Sequence, residues 1–331
     1  MPLLTMWGTS VMNKQPSNLD DFFDSSKDEI EKKIKTTVSD KKIIETLKDG
    51  KRLRPLLAHL IFKVCTRGKE TPHQYQKALE GSVSIELAHT ASLIHDDIID
   101  KDKERRGKPS FHVKEGIANA IFTGHKMLSL GFNIALSHGK EVAKLYIDSW
   151  GEAVNGEIDE VEFNTKDFKS LKTSSTKSQI FEAYNKIIDL KTASLFSSAC
   201  KAGAMDADMS GDILNVFAEY GREIGLAYQL ADDLVDLAKG EMIDSVIIPL
   251  VNKLENKTIT RPLTERTIRK KFAKHLPKIK QIYINEITKH IQKAEKLSTL
   301  DIIPNSAYKD LLRDAPTSII NKMLREINVS V

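Results

Sequence analysis

The chain has 331 residues, of which 40% are hydrophobic, and its formal net charge is +4. A chain of this length can bury a large core, and its nearly balanced charge gives no argument for nucleic acid as a partner. Its 16 glycines, 10 prolines and few alternating β-branched runs favour an all-α fold. No apolar run approaches the ~20 residues of a transmembrane segment.

The domain organisation is predicted from linkers and from the start of the chain. No segment rich in proline, glycine and serine divides the sequence, so we expect one domain over residues 19–331 after a loose N-terminal tail of residues 1–18. The tail lacks the basic start and long apolar core of a secretory signal. The two cysteines, Cys65 and Cys200, form no disulfide framework, which fits a reducing compartment. We therefore expect a cytoplasmic protein.

A basic segment follows a charged amphipathic helix that is predicted from about Leu19 to Val38. It reads KDGKRLRP and contains Lys51, Arg52 and Arg54 ahead of Pro55. Proline suits the first turn of a helix, where free N–H groups and the positive end of the dipole favour an anion. The segment therefore predicts a diphosphate clamp, and an ordinary basic cap on a surface helix is the alternative.

The stretch from Ser84 to Pro109 begins as an apolar helix and then carries an acidic motif, Asp96, Asp97 and Asp100. At 3.6 residues per turn, Asp96 and Asp100 face the same way, and they repel by about a few tenths of a kcal/mol unless a cation lies between them. Mg²⁺ suits such a pair because it prefers one or two carboxylates plus substrate phosphates. The paired arginines that follow are natural partners for phosphate oxygens. A solvated acidic helix end is the alternative.

The same acidic pattern recurs at the end of a second apolar helix. It contains Gln229, followed by Asp232, Asp233 and Asp236. Two helices that each deliver carboxylates after an apolar stretch predict a cavity with acid on two opposing walls. Such a cavity would hold several Mg²⁺ ions around a diphosphate, whereas chance repetition on an acidic surface would not place both copies after apolar helices.

Two more positions are candidates for substrate contacts. His89 lies seven residues before Asp96 on nearly the same helix face, although a lone histidine there is more often a core residue. Lys191 and Thr192 lie near the start of a helix with small residues along one side, where a lysine is usually solvated.

The middle of the chain is predicted to supply further helices. Gly116–Ser137 reads as a buried helix whose core residues are Phe122, Met127, Leu128 and Phe132. The next helix runs through Tyr146 to Phe163, and its Glu157 and Asp159 are expected on the surface. Thr165–Ser178, rich in serine, threonine and lysine, is predicted to be a loop.

Taken in order, the motifs GKRLRP, HTASLIHDDIID with RRG, KTASLF and YQLADDLVD resemble those of the trans-isoprenyl diphosphate synthases, or polyprenyl synthetases, over about Lys51 to Leu250. The resemblance implies an all-α bundle around a deep central cavity and a homodimer. It also implies head-to-tail condensation of isopentenyl diphosphate with an allylic diphosphate in the presence of Mg²⁺, with three ions expected.

The resemblance assigns a role to each motif residue. Isopentenyl diphosphate would be held by Lys51, Arg54, His89 and Arg106. Mg²⁺ would be bound by Asp96, Asp100 and Asp232, with support from Asp97, Asp233 and Asp236. The allylic diphosphate would be held by Arg105, Lys191, Thr192 and Gln229, which would also help to stabilise the ionised state. The catalytic residues would be Lys191 and the three primary aspartates.

Three departures from the family pattern are visible. The glycine-rich loop with a lysine that usually follows the second motif is missing, and Lys239 is our stand-in for that lysine. His125 stands where aspartate often follows glycine. Glu157 replaces the frequent glutamine of a GQxxD motif.

The resemblance also bears on product length and on alternative functions. The fifth residue before the first motif, which often sets the floor of the cavity, is Ala91, and its neighbours Ala88, Ser92 and Ser84 are small. We therefore expect geranylgeranyl diphosphate (C20) rather than a C15 product, with a longer chain as the alternative. A non-catalytic subunit of a heteromeric synthase usually loses aspartates from one motif, and a terpene cyclase lacks GKRLRP; neither description fits the two complete motifs.

Overall fold

The computed structural model of the chain describes residues 16–166, 177–240, 254 and 265–331. The predicted N-terminal tail therefore lies almost entirely outside the described residues, as does most of the predicted loop at 165–178. The division of the chain into a tail and one domain stays a prediction.

Helices make up nearly all of the described structure, and the predicted all-α fold is confirmed. The helices are α1 (Leu19–Thr37), α2 (Lys41–Leu47), α3 (Leu53–Thr66), α4 (Pro72–Ile99), α5 (Phe111–Glu115), α6 (Ile117–Ser137), α7 (Lys140–Lys166), α8 (Lys177–Ile188), α9 (Ser194–Asp206), α10 (Asp212–Lys239), α11 (Glu265–Ser298) and α12 (Lys309–Leu324). A π-helical turn (Asp189–Ala193) joins α8 to α9, and a 3₁₀ turn (Arg325–Ile327) follows α12. Two short antiparallel strands, β1 (Glu104–Arg105) and β2 (Lys108–Pro109), form the turn after α4.

Local sequence explains where the motif-bearing helices begin and end. Thr71 and Gln74 form a capping box at the start of α4, and Pro72 occupies its first turn. Gly240 adopts the left-handed conformation that ends α10. Both acidic motifs therefore lie in the last turns of their helices, where the negative end of the helix dipole disfavours carboxylates. Cations must compensate that placement.

The core lies between the long helices. α10 packs against α9 and α11, α4 packs against α6 and α3, and α3 also packs against α9. Its largest fully buried apolar side chains include Phe62, Phe196, Phe217, Tyr220 and Tyr283. This packing brings the C-terminal end of α4, the π-helical turn and α7 to one end of the bundle.

The prediction for the buried face of α6 is wrong at one residue. Met127 and Leu128 are buried and Phe132 packs against the core, but Phe122 is 70% exposed. α6 contacts α4, α5 and α7, so only part of its circumference is covered, and Phe122 lies on the open side beside Ile117 and Ile121. Within the described ranges, no helix has the length and apolar character needed to cross a membrane.

Candidate active site

Lys191 lies between two glutamate side chains of α7, and these three residues form the first cluster of the site. Its Nζ atom is 2.6 Å from Glu160 Oε2 and 3.0 Å from Glu157 Oε2, both on α7. The expectation that Glu157 is a solvated surface residue is therefore wrong, and Glu160 was missed altogether. The two glutamates stand three residues apart on a helix, which places them on one face, and that spacing was the available signal.

Electrostatics link this cluster to the first acidic motif. Burial and then the charge of Glu157 raise the pKa of Asp96 to about 7, while Lys191 opposes the rise. Burial alone would lower the pKa of Lys191, but Glu160 and Glu157 more than offset it and hold the pKa above its usual value. The pKa of Asp96 stays raised although Lys191 and Arg105 lie within electrostatic reach, so a further cation bound there would stabilise the ionised carboxylate.

The middle aspartate of the first motif faces a different partner. Arg105 Nε donates to Asp97 Oδ1 at 2.5 Å, and Asp97 is only 3% exposed. Arg105 also lowers the pKa values of Asp96, Asp100 and Asp232, so it lies within electrostatic reach of both motifs. Asp97 thus holds Arg105 in place, a role that Asp96 and Asp100 do not share.

A hydrogen-bonded chain joins the π-helical turn to the second motif. Thr192 Oγ1 donates to Gln229 Oε1 at 2.9 Å, and Gln229 Nε2 donates to Asp233 Oδ1 at 3.0 Å. Asp233 is buried, and burial followed by repulsion from Asp236 raises its pKa well above the usual value. Asp232 and Asp236 are only partly buried, so the outer aspartates of this motif are the accessible ones, as in the first motif.

The π-helical turn aims Lys191 and Thr192 in different directions. Lys191 points to α7, and Thr192 points to α10. Glycines allow the neighbouring helices to approach, because a Cβ atom at Gly156 would overlap the backbone nitrogen of Lys191 and one at Gly225 would crowd Ala193. A π-helical turn inserts an extra residue and is frequent at functional sites.

The basic segment forms a second cluster at the start of α3. Arg54 Nη1 donates to His89 Nε2 at 3.1 Å, and the Arg54 guanidinium lies over the Phe196 ring. Burial and the Arg54 charge hold the pKa of His89 well below its ordinary value, so the ring is neutral. An arginine can only donate, so the His89 proton resides on Nδ1, which is buried and has no partner among the described residues. That N–H group is available to an anion.

Three further residues predicted to bind substrate lie outside these two clusters. Burial raises the pKa of the Asp232 carboxyl, and the charge of the exposed Lys51 partly opposes that rise, which places the basic segment near the second motif. Arg106 donates to the carbonyl oxygen of Lys48 at 3.2 Å. Lys239 forms an ion pair with Glu326 at 2.6 Å, so its predicted contact with a diphosphate stays a prediction.

An apolar cavity lies below Arg54 and His89, between α4, α6, α7 and α9. Its empty volume is about 410 Å³, part of it open to solvent. Two of the small residues predicted to line a tail path, Ser84 and Ala88, do line this cavity. Ala91 is fully buried in the hydrophobic core, and neither Ala91 nor Ser92 lines this cavity. The bulky side chains in its wall are Phe132, Tyr146 and Trp150.

The donor set fits Mg²⁺ bound together with a polyanion. In the described part of the chain, no three carboxylate, imidazole or thiolate side chains converge to hold an ion by themselves. Mg²⁺ prefers this situation, because it retains waters and shares one or two carboxylates with substrate phosphates. The outer aspartates of the two motifs would supply those carboxylates.

The fold and the site define a class: an all-α bundle that carries an acidic motif near the C-terminal end of each of two long helices, two cationic clusters and an apolar cavity. The family model for polyprenyl synthetase matches residues 38–293, and the chain belongs to that family.

Individual relatives agree with this assignment. A geranylgeranyl diphosphate synthase from Methanosarcina mazei is 35% identical over 196 residues, which cover 59% of this chain and 57% of that enzyme. The match thus spans little more than half of that relative's length. A crystal structure of a geranylgeranyl pyrophosphate synthase superposes with a TM-score of 0.72 at 23% identity, covering 92% of this chain and 98% of that one. A polyprenyl synthase from Caulobacter crescentus, complexed with calcium and isoprenyl diphosphate, gives 0.70 at 22%, with 92% and 97% covered.

Proposed function

We propose that the protein is a Mg²⁺-dependent prenyltransferase that condenses isopentenyl diphosphate head-to-tail with an allylic diphosphate. One observation carries the proposal: each of two complete acidic motifs has cationic neighbours, Lys191 and Arg105 near Asp96 and Lys51 near Asp232. An apolar cavity lined by Arg54 and His89 lies in the same helical bundle. Family membership and the Methanosarcina mazei relative support it.

The allylic diphosphate is assigned to the cluster around the π-helical turn. Lys191, Thr192, Gln229 and Arg105 would bind its oxygens, and Asp96, Asp100, Asp232 and Asp236 would hold the Mg²⁺ ions, of which three are expected. Bound Mg²⁺ supplies positive charge to the departing diphosphate and so favours cleavage of the allylic C–O bond. Lys191 adds a cation that Glu157 and Glu160 have already oriented, which avoids reorganisation during the reaction.

Isopentenyl diphosphate is assigned to the basic segment. Lys51, Arg54 and Arg106 bind its phosphate oxygens, and the unpartnered His89 Nδ1–H donates a further hydrogen bond. The double bond of isopentenyl diphosphate then attacks the allylic cation, a new C–C bond forms, and the lost proton passes to the released diphosphate. The apolar cavity excludes the water that would quench the cation.

We further propose that the main product is geranylgeranyl diphosphate. The cavity wall contains the small residues Ala88 and Ser84 as well as the bulky Phe132 and Tyr146, and we propose that the bulky side chains stop the growing tail. A longer product is the alternative if the Tyr146 side chain moves aside and lets the tail pass. A regulatory subunit is the other alternative, and it is disfavoured by two complete motifs.

A homodimer is proposed from the open faces of α6 and α7. Large apolar side chains are exposed there, and they comprise Ile117, Ile121, Phe122, Ile147, Val154, Ile158 and Val161. Monomers rarely expose contiguous apolar surface of this kind, and a two-fold axis would let the same face cover itself in a second copy. The two buried, unpaired cysteines support the expected cytoplasmic location.

The deciding experiment is an incubation of the purified protein with labelled isopentenyl diphosphate, Mg²⁺ and, separately, C5, C10, C15 and C20 allylic primers. Products are dephosphorylated and sized by chromatography. We expect elongation of the shorter primers with C20 as the main product. Failure to elongate any primer would refute the proposed activity for this chain alone.

A further inference from the structure

Arg52, the middle cation of the basic segment, is buried, and its side chain is 0% exposed. Its Nη1 lies 2.6 Å from Glu86 Oε1 on α4, and its Nη2 lies 2.9 Å from Glu31 Oε1 on α1. The same guanidinium donates to the carbonyl oxygen of Leu47 at the end of α2. One side chain therefore ties three other helices to the start of α3.

The backbone at Arg52 is held in an unusual conformation. Its φ of 58° lies in the left-handed region, which costs a non-glycine residue free energy unless the surroundings enforce it. The residue caps α3 without any side-chain hydrogen bond to the helix, since its side chain is committed elsewhere. A Cβ atom at Gly50 would overlap the Arg52 guanidinium, so glycine is required for the side chain to pass.

The contacts of Arg52 with Glu86, Glu31 and Leu47, which we call the clamp, lie beside a second cross-link from the same segment. Arg54 contacts His89, which lies one turn along α4 from Glu86. The two links hold the segment on α4 at two points, with Arg52 anchored in the interior. Lys51, the preceding residue, is left exposed, and its charge acts on Asp232.

We propose that Arg52 and Glu86 are positioning residues for isopentenyl diphosphate: they fix the backbone from which Lys51 and Arg54 reach the substrate, and they do not touch it themselves. This inference rests on the proposed function. Two cations held in place before the substrate arrives lose less conformational freedom on binding than two mobile ones, so the clamp strengthens binding of this one substrate. The allylic site takes Lys191 and Thr192 from the π-helical turn and Gln229 from α10, none of which contacts the clamp, so its affinity is expected to stay near the wild-type value.

The chain contains a matched control for the loss of a buried ion pair. Lys63 is also on α3, is buried, and pairs with Glu70. Lys63 also lies over the Tyr75 ring, away from every residue assigned to a substrate. Substitution of Lys63 therefore tests what a lost buried pair on α3 does to stability alone.

The experiment measures the Kd of isopentenyl diphosphate by calorimetry without an allylic substrate, the KM of each substrate, and Tm. Compared with the wild type, Arg52→Met and Glu86→Gln are expected to weaken binding of isopentenyl diphosphate by about tenfold or more. The KM of the allylic substrate should change by less than about twofold, and Arg52→Lys should bind more tightly than Arg52→Met. Lys63→Met should lower Tm with both substrate constants unchanged.

The inference is overturned if Arg52→Met and Lys63→Met lower Tm alike while the Kd of isopentenyl diphosphate stays at the wild-type value in both. It is also overturned if both substrate constants rise together in Arg52→Met. If Arg52→Met does not fold, the milder Glu86→Gln decides by the same criteria. Failure of the wild type to condense any primer would instead refute the proposed function, whereas weak binding in Lys51→Ala and Arg54→Ala but not in Arg52→Met refutes only the clamp.

Discussion

Lys191 and Glu160 form an ion pair of 2.6 Å that joins the π-helical turn to α7. With Glu157 at 3.0 Å, the lysine is held by two carboxylates before any substrate is present. The same glutamates stand close enough to Asp96 and Asp100 to alter their pKa values. The site is therefore tuned by residues outside the acidic motifs.

Glu157→Gln should shift the pH dependence of kcat/KM. The negative charge of Glu157 helps to raise the pKa of Asp96 to about 7, so its removal lowers that pKa. Asp96 must be ionised to bind a cation, and the acid limb of the profile should therefore move to lower pH. Asp159→Asn, on the same helix, should leave the limb in place. An unmoved limb in Glu157→Gln would show that Asp96 does not control it.

Turnover should depend on Mg²⁺ and on the outer aspartates. We expect EDTA to abolish activity, and Asp96→Ala or Asp232→Ala to lower kcat by several orders of magnitude, because each removes a ligand oxygen at the developing charge. Asp97→Asn should cost less, because Asp97 is occupied by Arg105. Circular dichroism checks that each variant keeps its helices. Near wild-type kcat in either alanine variant contradicts the two-motif metal site.

The two diphosphate sites should separate kinetically. Lys51→Ala, Arg54→Ala and His89→Ala should raise the KM of isopentenyl diphosphate about ten- to a hundredfold, because each removes a charge-assisted or buried hydrogen bond. Lys191→Ala should instead weaken the allylic substrate or slow its ionisation. Steady-state kinetics with each substrate varied in turn distinguishes these effects. The assignment is reversed if Lys51→Ala raises only the allylic KM.

Product length should respond to substitutions in the cavity wall. Ala88 lines the cavity, so Ala88→Phe should shorten the main product by at least one C5 unit. The family resemblance indicates Ala91 as the floor of the cavity, but Ala91 is packed in the core, and Ala91→Phe is expected to cost about 1–3 kcal/mol of stability. Chromatographic sizing compares the two variants. A shorter product from Ala91→Phe alone would place the tail outside this cavity.

Association should depend on the open face of α6. Phe122→Asp removes an exposed aromatic ring and adds a charge, so the dimer mass measured by light scattering should fall towards that of a monomer. Leu300→Asp changes another exposed apolar residue between α11 and α12 and should leave the mass unchanged. A monomeric wild type, or a dimer that survives Phe122→Asp, contradicts the proposed interface.

Features encoded within one helix were predictable from the sequence. The i, i+4 spacing alone aligned Asp96 with Asp100, and both acidic motifs do terminate helices. Pro55 indicated the first turn of α3, which begins at Leu53. In each case the relevant geometry is set by the helical repeat, so no tertiary contact had to be known.

Features that depend on packing between distant segments were not predictable. Glu160 contacts Lys191 only because α7 and the π-helical turn pack together, and the two residues are 31 positions apart. Periodicity identified an apolar α6 but could not tell that the side bearing Phe122 has no covering helix. Likewise, the segment KRLR does not indicate which of its cations is buried. Arg52 is buried and Lys51 is exposed because Arg52 pairs with Glu86 and Glu31 on other helices.

The π-helical turn interrupts a regular helix and, in doing so, places two residues that the proposed activity needs. Removing one residue from Asp189–Ala193 would let α8 and α9 run on as a single uniform helix, with better backbone hydrogen bonding. Each residue advances a helix by about 100°, so the deletion would rotate one side of the turn relative to the other by about that angle. Lys191 and Thr192 could then no longer reach α7 and α10 together. A design method that favours ideal backbone geometry would therefore remove the extra residue. The resulting protein would be more stable at this position but would lose its site.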